Sequence, residues 1–186
     1  MAFIPAGNFQ MGCDAQFGIP MSCTSDQLPL HTVYLDAYFV DRYEVTNARY
    51  AQCVTAGACS VPVPNPAYTD PAQANTPVTH VNWTQASTYC TWVHKRLPSE
   101  AEWEKSFRTP YAMMSGGLWK WVNDWYYYFY YSVSPTNNPT GPATGMYRVM
   151  RGGQYFSDTA FYSFYSYPSP YGPSFYRDFG IRCAAQ

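Results

Sequence analysis

Charge is scarce in this sequence, and neither sign is in clear excess. Charged residues make up 12% of the 186 residues, and the formal net charge is −1, whereas an ordinary domain is ~25% charged. Because phosphate binding needs a basic surface, this balance argues against nucleic acid as a partner. The length is that of one domain, so we expect a single domain over residues 1–186.

Long apolar runs are also missing. No stretch approaches the ~18 consecutive apolar residues that a membrane-spanning helix needs. Residues 1–9 have neither the basic end nor the apolar segment of a signal peptide. We therefore expect no membrane span and no signal peptide, while an artificial start at Met1, with an upstream targeting or anchoring segment removed, stays open.

Zinc-binding motifs are absent as well. The six cysteines form no C-x-x-C pair, and no histidine stands at zinc spacing, so we expect no metal site. An even number of cysteines favours disulfide bonds, and hence an oxidising compartment or a hyperthermophile cytoplasm; free buried thiols are the alternative. Short spacing alone favours Cys13 with Cys23 and Cys53 with Cys59, although other pairings remain possible.

Proline and glycine are frequent, with 16 and 12 residues, so we expect short elements and much irregular loop. Capping patterns predict three helices, which begin after Thr46, after Asn82 with Gln85 three residues on, and after Ser99 with Glu102. The remaining predictions are paired strands over 31–44, short strands at 148–150 and 180–183, and an extended loop over 60–77. We assign Trp92, Trp103 and Trp121 to the core.

Aromatic residues are concentrated in one segment. Residues 155–176 contain six Tyr, four Phe and five Ser, and they lack Lys, Glu, Gln, Met, Trp, Leu, Val and Ile. A buried strand would need branched aliphatics, and a disordered tail would lack aromatics. Every residue here can be encoded by a codon ending in a pyrimidine, whereas Lys, Glu, Gln, Met and Trp cannot. Those five types make up about a fifth of ordinary sequences, so chance gives such a run only about one time in a hundred.

Four separated parts of the chain carry a family pattern. They are residues 3–12 (FIPAGNFQMG), 41–54 (DRYEVTNARYAQCV), 77–104 (PVTHVNWTQASTYCTWVHKRLPSEAEWE), and 148–153 (RVMRGG) with the closing 180–184 (GIRCA). Together they resemble the formylglycine-generating-enzyme family, and KRLPSEAEWE is the most specific part. The resemblance implies an α+β fold, a variant of the C-type lectin fold. It also implies a disulfide bond between Cys90 and Cys183.

The chemistry of those enzymes does not carry over. The enzymes bind copper and activate oxygen with two cysteines shortly after the Gly-Gly pair, and the matching positions here are Ser157 and Tyr162. A hydroxyl and a phenol cannot replace the soft thiolates that select Cu(I). The family's calcium segment matches residues 116–121, where Lys120 replaces an acidic ligand, so we expect its ammonium in place of the ion. We expect no catalytic residue, no cofactor and no metal.

The aromatic segment, in this fold and near its C-terminal end, resembles the variable proteins of diversity-generating retroelements. There an error-prone reverse transcriptase replaces template adenines, and a C-type lectin-fold protein displays the varied side chains to ligands. Tyr, Phe, Ser, Asp and Gly are all reached from an Asn codon by such replacement. Tyr and Ser also dominate antibody paratopes, because Tyr offers rigid amphipathic contacts and Ser adaptable hydrogen bonds.

The resemblance implies a non-enzymatic ligand-binding protein with a variable segment at about 155–179. Its partner would be an unknown protein or cell-surface ligand, and its location the cell surface, the secreted fraction or the virion surface of a prokaryote or its virus. The implied scaffold residues are Arg151, Gly152, Gly153, Arg177, Gly180 and Arg182. The predicted display residues are Tyr155, Phe156, Ser157, Asp158, Phe161, Tyr162, Ser163, Tyr165, Tyr167, Ser169, Tyr171, Ser174, Phe175, Tyr176, Asp178 and Phe179.

Two questions stay open at this point. A second aromatic run covers residues 126–132 (YYYFYYS), in which Tyr126, Tyr130 and Tyr131 are expected to pack with Trp125, whereas residues 127–129 are undecided between packing and display. The alternative function is a formylglycine-generating-enzyme relative that oxidises cysteine-containing peptides. An inert family member with an aromatic-packed structural loop is a further alternative.

Overall fold

The computed structural model describes residues 1–13, 23, 25–62, 65–109, 118–152, 163–165 and 179–186, with residues 163–165 described by their backbone alone. The helices are α1 (Asn47–Thr55), α2 (Pro66–Thr69), α3 (Trp83–Trp92), α4 (Glu100–Arg108) and α5 (Tyr130–Val133), with 3-10 turns at Ser25–Gln27 and Pro71–Gln73. The strands are β1 (Ala2–Ile4), β2 (Gly7–Met11), β3 (His31–Leu35), β4 (Tyr38–Val40), β5 (Trp119–Trp125), β6 (Arg148–Gly152), β7 (Ser163–Tyr165), β8 (Phe179–Gly180) and β9 (Ala184–Ala185). The predicted mixture of short helices, short strands and irregular loop is confirmed.

The three capped helices begin where the sequence predicts. Thr46 accepts a hydrogen bond from the Arg49 amide at the start of α1. In α3 the Asn82 side chain accepts from the Gln85 amide and the Gln85 side chain accepts from the Asn82 amide, both at 2.9 Å. Ser99 and Glu102 form the same reciprocal pair at α4. Each box satisfies two amides that would otherwise lack partners at a helix start.

The strands form three small sheets, and two predictions about them need correction. The sheets have the orders β1-β4-β9, β2-β3 and β7-β6-β5-β8. Strands β3 and β4 fall within the predicted range 31–44, but they do not pair with each other, because β2 pairs with β3 while β1 and β9 flank β4. The short distance between β3 and β4 along the chain suggested that they form a hairpin. In the structure the N-terminal strands β1 and β2 are their partners instead.

The predicted strand at 180–183 is also wrong in its bounds. Pairing occurs in β8 and β9, and residues 181–183 lie between them without belonging to a strand. Their backbone groups are satisfied by the chain after β4, since the amides of Val45 and Asp41 donate to the carbonyl oxygens of Ile181 and Cys183, each at 2.9 Å. Buried backbone groups need partners but not a regular ladder.

The predicted loop over 60–77 contains two short helical pieces. In α2 and in the 3-10 turn at 71–73 the proline occupies the first turn, and the preceding Asn65 and Asp70 accept hydrogen bonds from backbone amides. Proline at that position loses no intrahelical hydrogen bond and has a suitable φ. The prolines that suggested an extended loop therefore start these two pieces.

The main core cluster joins α1, α3, β5 and the C-terminal residues. It includes the fully buried Tyr50, Cys53, Cys90, Ile181 and Cys183. Trp103 and Trp121 are buried as predicted. Trp92 is not a core residue, because its ring only packs against the edge of this cluster and remains half-buried.

All six cysteines are paired, as Cys13–Cys23, Cys53–Cys59 and Cys90–Cys183. The pair implied by the family resemblance and both pairs favoured by short spacing are confirmed. Such bonds are compatible with an extracellular or secreted protein. Within the described ranges, no helix combines the length and apolar character needed to cross a membrane.

Candidate ligand-display site and its support

The two ends of the predicted display segment join strands that pair with β5 at the same residue, Trp119. Strand β5 is paired with β6 on one side and with β8 on the other. Trp119 lies opposite Gly152 in β6 and opposite Phe179 in β8. Two strand spacings separate these ends, which is on the order of 10 Å. Gly152, at the end of β6, and Phe179, at the start of β8, therefore lie at the same level of β5.

Most of the predicted display residues lie outside the described residues. These are Tyr155, Phe156, Ser157, Asp158, Phe161, Tyr162, Tyr167, Ser169, Tyr171, Ser174, Phe175, Tyr176 and Asp178. The backbones of Ser163 and Tyr165 belong to β7, where they lie opposite Arg151 and Val149 of β6. This strand therefore extends the sheet beyond β6 with residues of the segment itself.

Phe179, the last of the predicted display residues, is buried. Its exposed fraction is 4%, and its ring centroid lies 5.1 Å from that of Trp121 in the main core cluster. It pairs with Trp119 in β8, so its backbone is fixed as well. This position is a correction to the predicted surface: Phe179 anchors the end of the segment.

A buried cation supports the start of the segment. Arg151, which is 1% exposed, donates to Glu104 at 2.6 Å and to Glu100 at 3.4 Å. Its guanidinium also lies 5.0 Å from the ring centre of Trp103. Burial by itself would lower the pKa of Arg151, but the two carboxylates outweigh it and raise that pKa above its ordinary value. The charge is therefore retained inside the protein.

A second group of buried charges supports the end of the segment. The Lys120 ammonium lies 2.8 Å from a carboxylate oxygen of Glu44 and donates to the Leu118 carbonyl oxygen at 2.6 Å. Arg182 approaches the other Glu44 oxygen at 3.7 Å and donates to the Arg42 carbonyl oxygen at 2.6 Å. Carboxylate and carbonyl oxygens are also the ligands that calcium takes, and here they hold an ammonium group.

The pKa of Lys120 makes this group pH-sensitive. Burial lowers the pKa to about 8, against the opposing effect of Glu44. The lysine of an unfolded chain has a pKa of about 10.4. Between these values the unfolded chain binds more protons than the folded one, so the contribution of Lys120 to the free energy of unfolding rises with pH.

We therefore expect a pH-dependent difference between the wild type and Lys120→Met. Guanidinium unfolding at about pH 7 and about pH 9.5 should show the wild type gaining stability relative to the variant at the higher pH. Burial raises the pKa values of Tyr38 and Tyr50, which lowers stability above about pH 10, but both proteins share that effect. An unchanged difference at the two pH values would contradict the prediction.

The second aromatic run divides into packed and exposed residues. Tyr131 is buried, and Trp125, Tyr126 and Tyr130 are half-buried, which confirms their predicted packing. The aromatic turn, residues 127–129, has exposed fractions of 50%, 40% and 57% in sequence order. The Phe129 ring contacts the rings of Tyr127 and Tyr128 edge-on. These three rings are surface residues, which the sequence did not decide.

Sequence reasoning missed a different surface residue, Trp92. The helical pattern of Ala86, Tyr89, Cys90 and Val93 suggested that the whole end of α3 faces the core. Successive residues of a helix are rotated by about 100°, so Trp92 lies about 200° from Cys90 but only about 60° from Tyr89, at the edge of the buried face. That angle is the signal in the sequence that could have identified it.

The architecture is that of the formylglycine-generating-enzyme type, and the comparisons with known proteins agree. The family model described as "Sulfatase-modifying factor enzyme 1-like domain" matches residues 1–113 and 111–186. The chain therefore belongs to this family. Formylglycine-generating enzyme from Streptomyces coelicolor is 28% identical, over 82% of this chain and 77% of that protein.

Serine/threonine-protein kinase pkn1 from Chlamydia caviae is 29% identical over 82% of this chain. The chain spans about a third of the length of that kinase, with 32% of it covered. Among solved structures, PvdO from Pseudomonas aeruginosa matches with a TM-score of 0.76 and 19% identity, over 99% of this chain and 93% of that one. Treponema denticola variable protein 1 matches with a TM-score of 0.72 and 20% identity, over 100% and 94%. At these identities the two structures establish the fold.

Proposed function

We propose that this protein is a non-enzymatic ligand-binding protein, the variable protein of a diversity-generating retroelement. In this proposal residues 1–186 form one domain, and residues 155–178 provide the diversified surface. The observation that carries the proposal is the contrast between the segment and its two ends. The segment consists mainly of Tyr, Phe and Ser. The strands at its two ends pair with β5, next to two buried ion pairs.

The fixed ends provide a physical reason why the segment can vary. Side chains that differ between copies of a protein cannot contribute constant packing, so the surrounding structure must be stable without them. Arg151, Gly152 and Phe179 receive their contacts from β5, α4 and the core cluster. A similar division separates antibody paratopes from their framework, and the Tyr and Ser composition matches that use.

The ligand is proposed to be a protein or another cell-surface molecule. Tyr and Phe supply large contact areas that protein interfaces favour, and the chain has no basic excess for nucleic acid. The aromatic turn at 127–129 offers additional contact area of the same kind. The proposed location is the cell surface, the secreted fraction or the virion surface of a prokaryote or its virus, which is compatible with three disulfide bonds.

The DNA beside the gene tests the proposal directly. We expect a reverse transcriptase gene and a near-copy of the codons for residues 155–179, differing from them at adenines. Sequencing the locus, followed by comparison of the gene between isolates, measures both features. A locus with neither feature, and with the segment unchanged between isolates, would contradict the assignment.

Replacing display tyrosines should leave folding nearly intact. We expect Tyr→Ser at positions 165, 167, 171 and 176 to change the free energy of unfolding by about 0.5 kcal/mol or less each, as for ordinary surface positions. The matched control is Tyr50→Ser, because Tyr50 has no exposed surface, and it should cost about 3 to 5 kcal/mol. Thermal unfolding of each variant is the measurement, and core-sized losses at most of the four positions would make the aromatics structural.

The alternative function, oxidation of cysteine-containing peptides, predicts copper binding and oxygen consumption, and both can be measured. Ser157 and Tyr162 occupy the sequence positions of the copper-binding cysteines, so we expect no stoichiometric copper binding and no oxidation of sulfatase-type cysteine peptides. Copper titration and oxygen consumption with such a peptide test this expectation, with a formylglycine-generating enzyme as the positive control. Copper binding at one equivalent together with oxygen uptake would favour the enzyme instead.

A further inference from the structure

Trp92 takes part in the lining of two surface cavities. The first has a volume of about 270 Å³ and is floored by Val45, Tyr89 and Val93. The second has a volume of about 300 Å³ and is lined by Ala58 and hydroxyl-bearing residues of α3. Trp92 lines both, so its indole stands between them. Each volume lies near the lower end of the roughly 300 to 1,000 Å³ typical of ligand sites.

The indole of Trp92 is held in place by a series of aromatic contacts. Its ring centroid lies 6.0 Å from that of Tyr89. Tyr89 is stacked in turn on Tyr50, with centroids 5.6 Å apart, and Tyr50 is fully buried. A ring fixed before binding loses little conformational entropy when a ligand arrives. Trp92 is therefore a rigid apolar wall between two open spaces.

The remaining lining of both cavities is polar. In the first cavity Asp41 and Lys95 form an ion pair of 2.8 Å, and Arg49, Gln52 and the exposed Tyr43 also line it. In the second cavity Ser87 and Thr88 provide hydroxyl groups, which both donate and accept hydrogen bonds, while the Thr91 hydroxyl donates to the Ser87 carbonyl oxygen at 3.0 Å and can still accept. Flat aromatic surface with donors and acceptors on both sides is therefore concentrated around one residue.

We infer that the Trp92 cleft, defined as these two cavities and the indole between them, binds an oligosaccharide. The C–H face of a pyranose ring is apolar and stacks on an indole, while its rim of hydroxyls needs mixed donors and acceptors such as those of Asp41, Gln52 and Thr88. Lys95 is balanced by Asp41, and Arg49 adds a positive charge at the rim, so the site suits neutral or acidic sugars.

An apolar peptide side chain or a lipid chain fits the cleft less well. Such groups gain affinity from closed apolar pockets that exclude water. Both cavities here are shallow, and carboxylate, ammonium, guanidinium and hydroxyl groups would lose water without finding partners on an apolar ligand. The polar lining therefore favours the sugar over either alternative.

Binding to defined oligosaccharides tests the inference. Isothermal calorimetry and saturation-transfer NMR would be carried out with cellotetraose, maltotetraose, chitotetraose and a hyaluronan tetrasaccharide. We expect at least one to bind, with saturation transferred to its ring C–H protons. Trp92→Ala should weaken that binding at least tenfold, Trp92→Phe should weaken it less because a ring remains, and Arg49→Ala should weaken it from the rim. Tyr128→Ser, an exposed aromatic outside the cleft, is the matched control and should bind as the wild type does.

Several results would overturn the inference. One is a wild-type protein that binds none of the four sugars at millimolar concentration. Another is equal binding by Trp92→Ala and the wild type, with thermal unfolding used to verify that the variant is folded. Loss of sugar binding in Tyr165→Ser with retention in Trp92→Ala would place the sugar on the display segment. The Trp92 cleft does not depend on the proposed function, so each can fail without the other.

Discussion

Arg151→Met is expected to lower the free energy of unfolding by about 3 to 5 kcal/mol, because it removes one partner of a buried ion pair. Arg151 and Glu104 are both almost completely buried, and their charged groups lie 2.6 Å apart. Methionine fills similar space but leaves the Glu104 Oε2 oxygen and the Glu100 carboxylate facing an apolar group, while the other Glu104 oxygen keeps its ion pair with Arg108 at 2.8 Å. Most of the expected loss in the free energy of unfolding comes from the buried negative charge that Arg151 no longer balances, and less from the lost attraction between Arg151 and Glu104.

Guanidinium unfolding of the wild type and the variant measures this loss. The matched control is Arg42→Met, which removes the same side chain from an exposed position and should change the free energy of unfolding by about 0.5 kcal/mol or less. We also expect Glu104→Gln to restore part of the stability in the Arg151→Met background, because it removes a buried negative charge that Arg151 no longer balances. A loss of less than about 1 kcal/mol in Arg151→Met would show that the carboxylates are readily protonated or hydrated.

The position of this ion pair is relevant to the proposed display. Arg151 lies opposite Lys120 in the ladder of β5 and β6, and each of these cations has its own buried carboxylate partners. The two pairs therefore support the sheet on both sides of the point where the segment begins and ends. The side chains of these ion pairs all lie outside 155–178, and the backbone of β7 adds pairing to β6 that does not depend on side-chain identity.

Local signals in the sequence were enough to place the main helices. Asn82 with Gln85 and Ser99 with Glu102 act within one turn, so residues that are close in sequence determine their hydrogen bonds. The partner of a strand is not determined in this way. Leu35 and Tyr38 are three residues apart, yet one lies opposite Gly7 and the other opposite Ile4. Such pairings depend on which distant edges are available, which no local pattern specifies.

The candidate site was predictable in its composition but less so in its contacts. The segment was recognised from its residue types, and Lys120 was recognised from its departure from a family pattern. Its partner Glu44 was not, since 76 residues separate them along the chain. Phe179 shares the aromatic character of the segment and was therefore grouped with it, although the Trp121 ring and β8 draw it into the core.

Removing the Cys90–Cys183 disulfide is the second change with a large expected effect. The bond joins residues 93 apart in sequence, whereas Cys13–Cys23 joins residues 10 apart. A disulfide restricts the unfolded chain more when it closes a longer loop, which gives about 4.6 kcal/mol for the first pair and about 2.7 kcal/mol for the second. Both Cys90 and Cys183 are fully buried, so their replacement by alanine also leaves a small cavity.

The measurement compares two double variants, Cys90→Ala with Cys183→Ala and Cys13→Ala with Cys23→Ala, in guanidinium unfolding without reductant. The first should lose more stability than the second, by on the order of 1 to 3 kcal/mol once the cavity is included. Loss of this bond also affects the end of the display segment. Cys183 follows Phe179 closely, and the Cys183 amide donates to a carboxylate oxygen of Asp41 at 3.1 Å. If the two double variants lose equal stability, the long loop that Cys90–Cys183 closes does not restrict the unfolded chain more than the short loop does. The contacts of Ile181 and Phe179 would then hold the end of the segment without the bond.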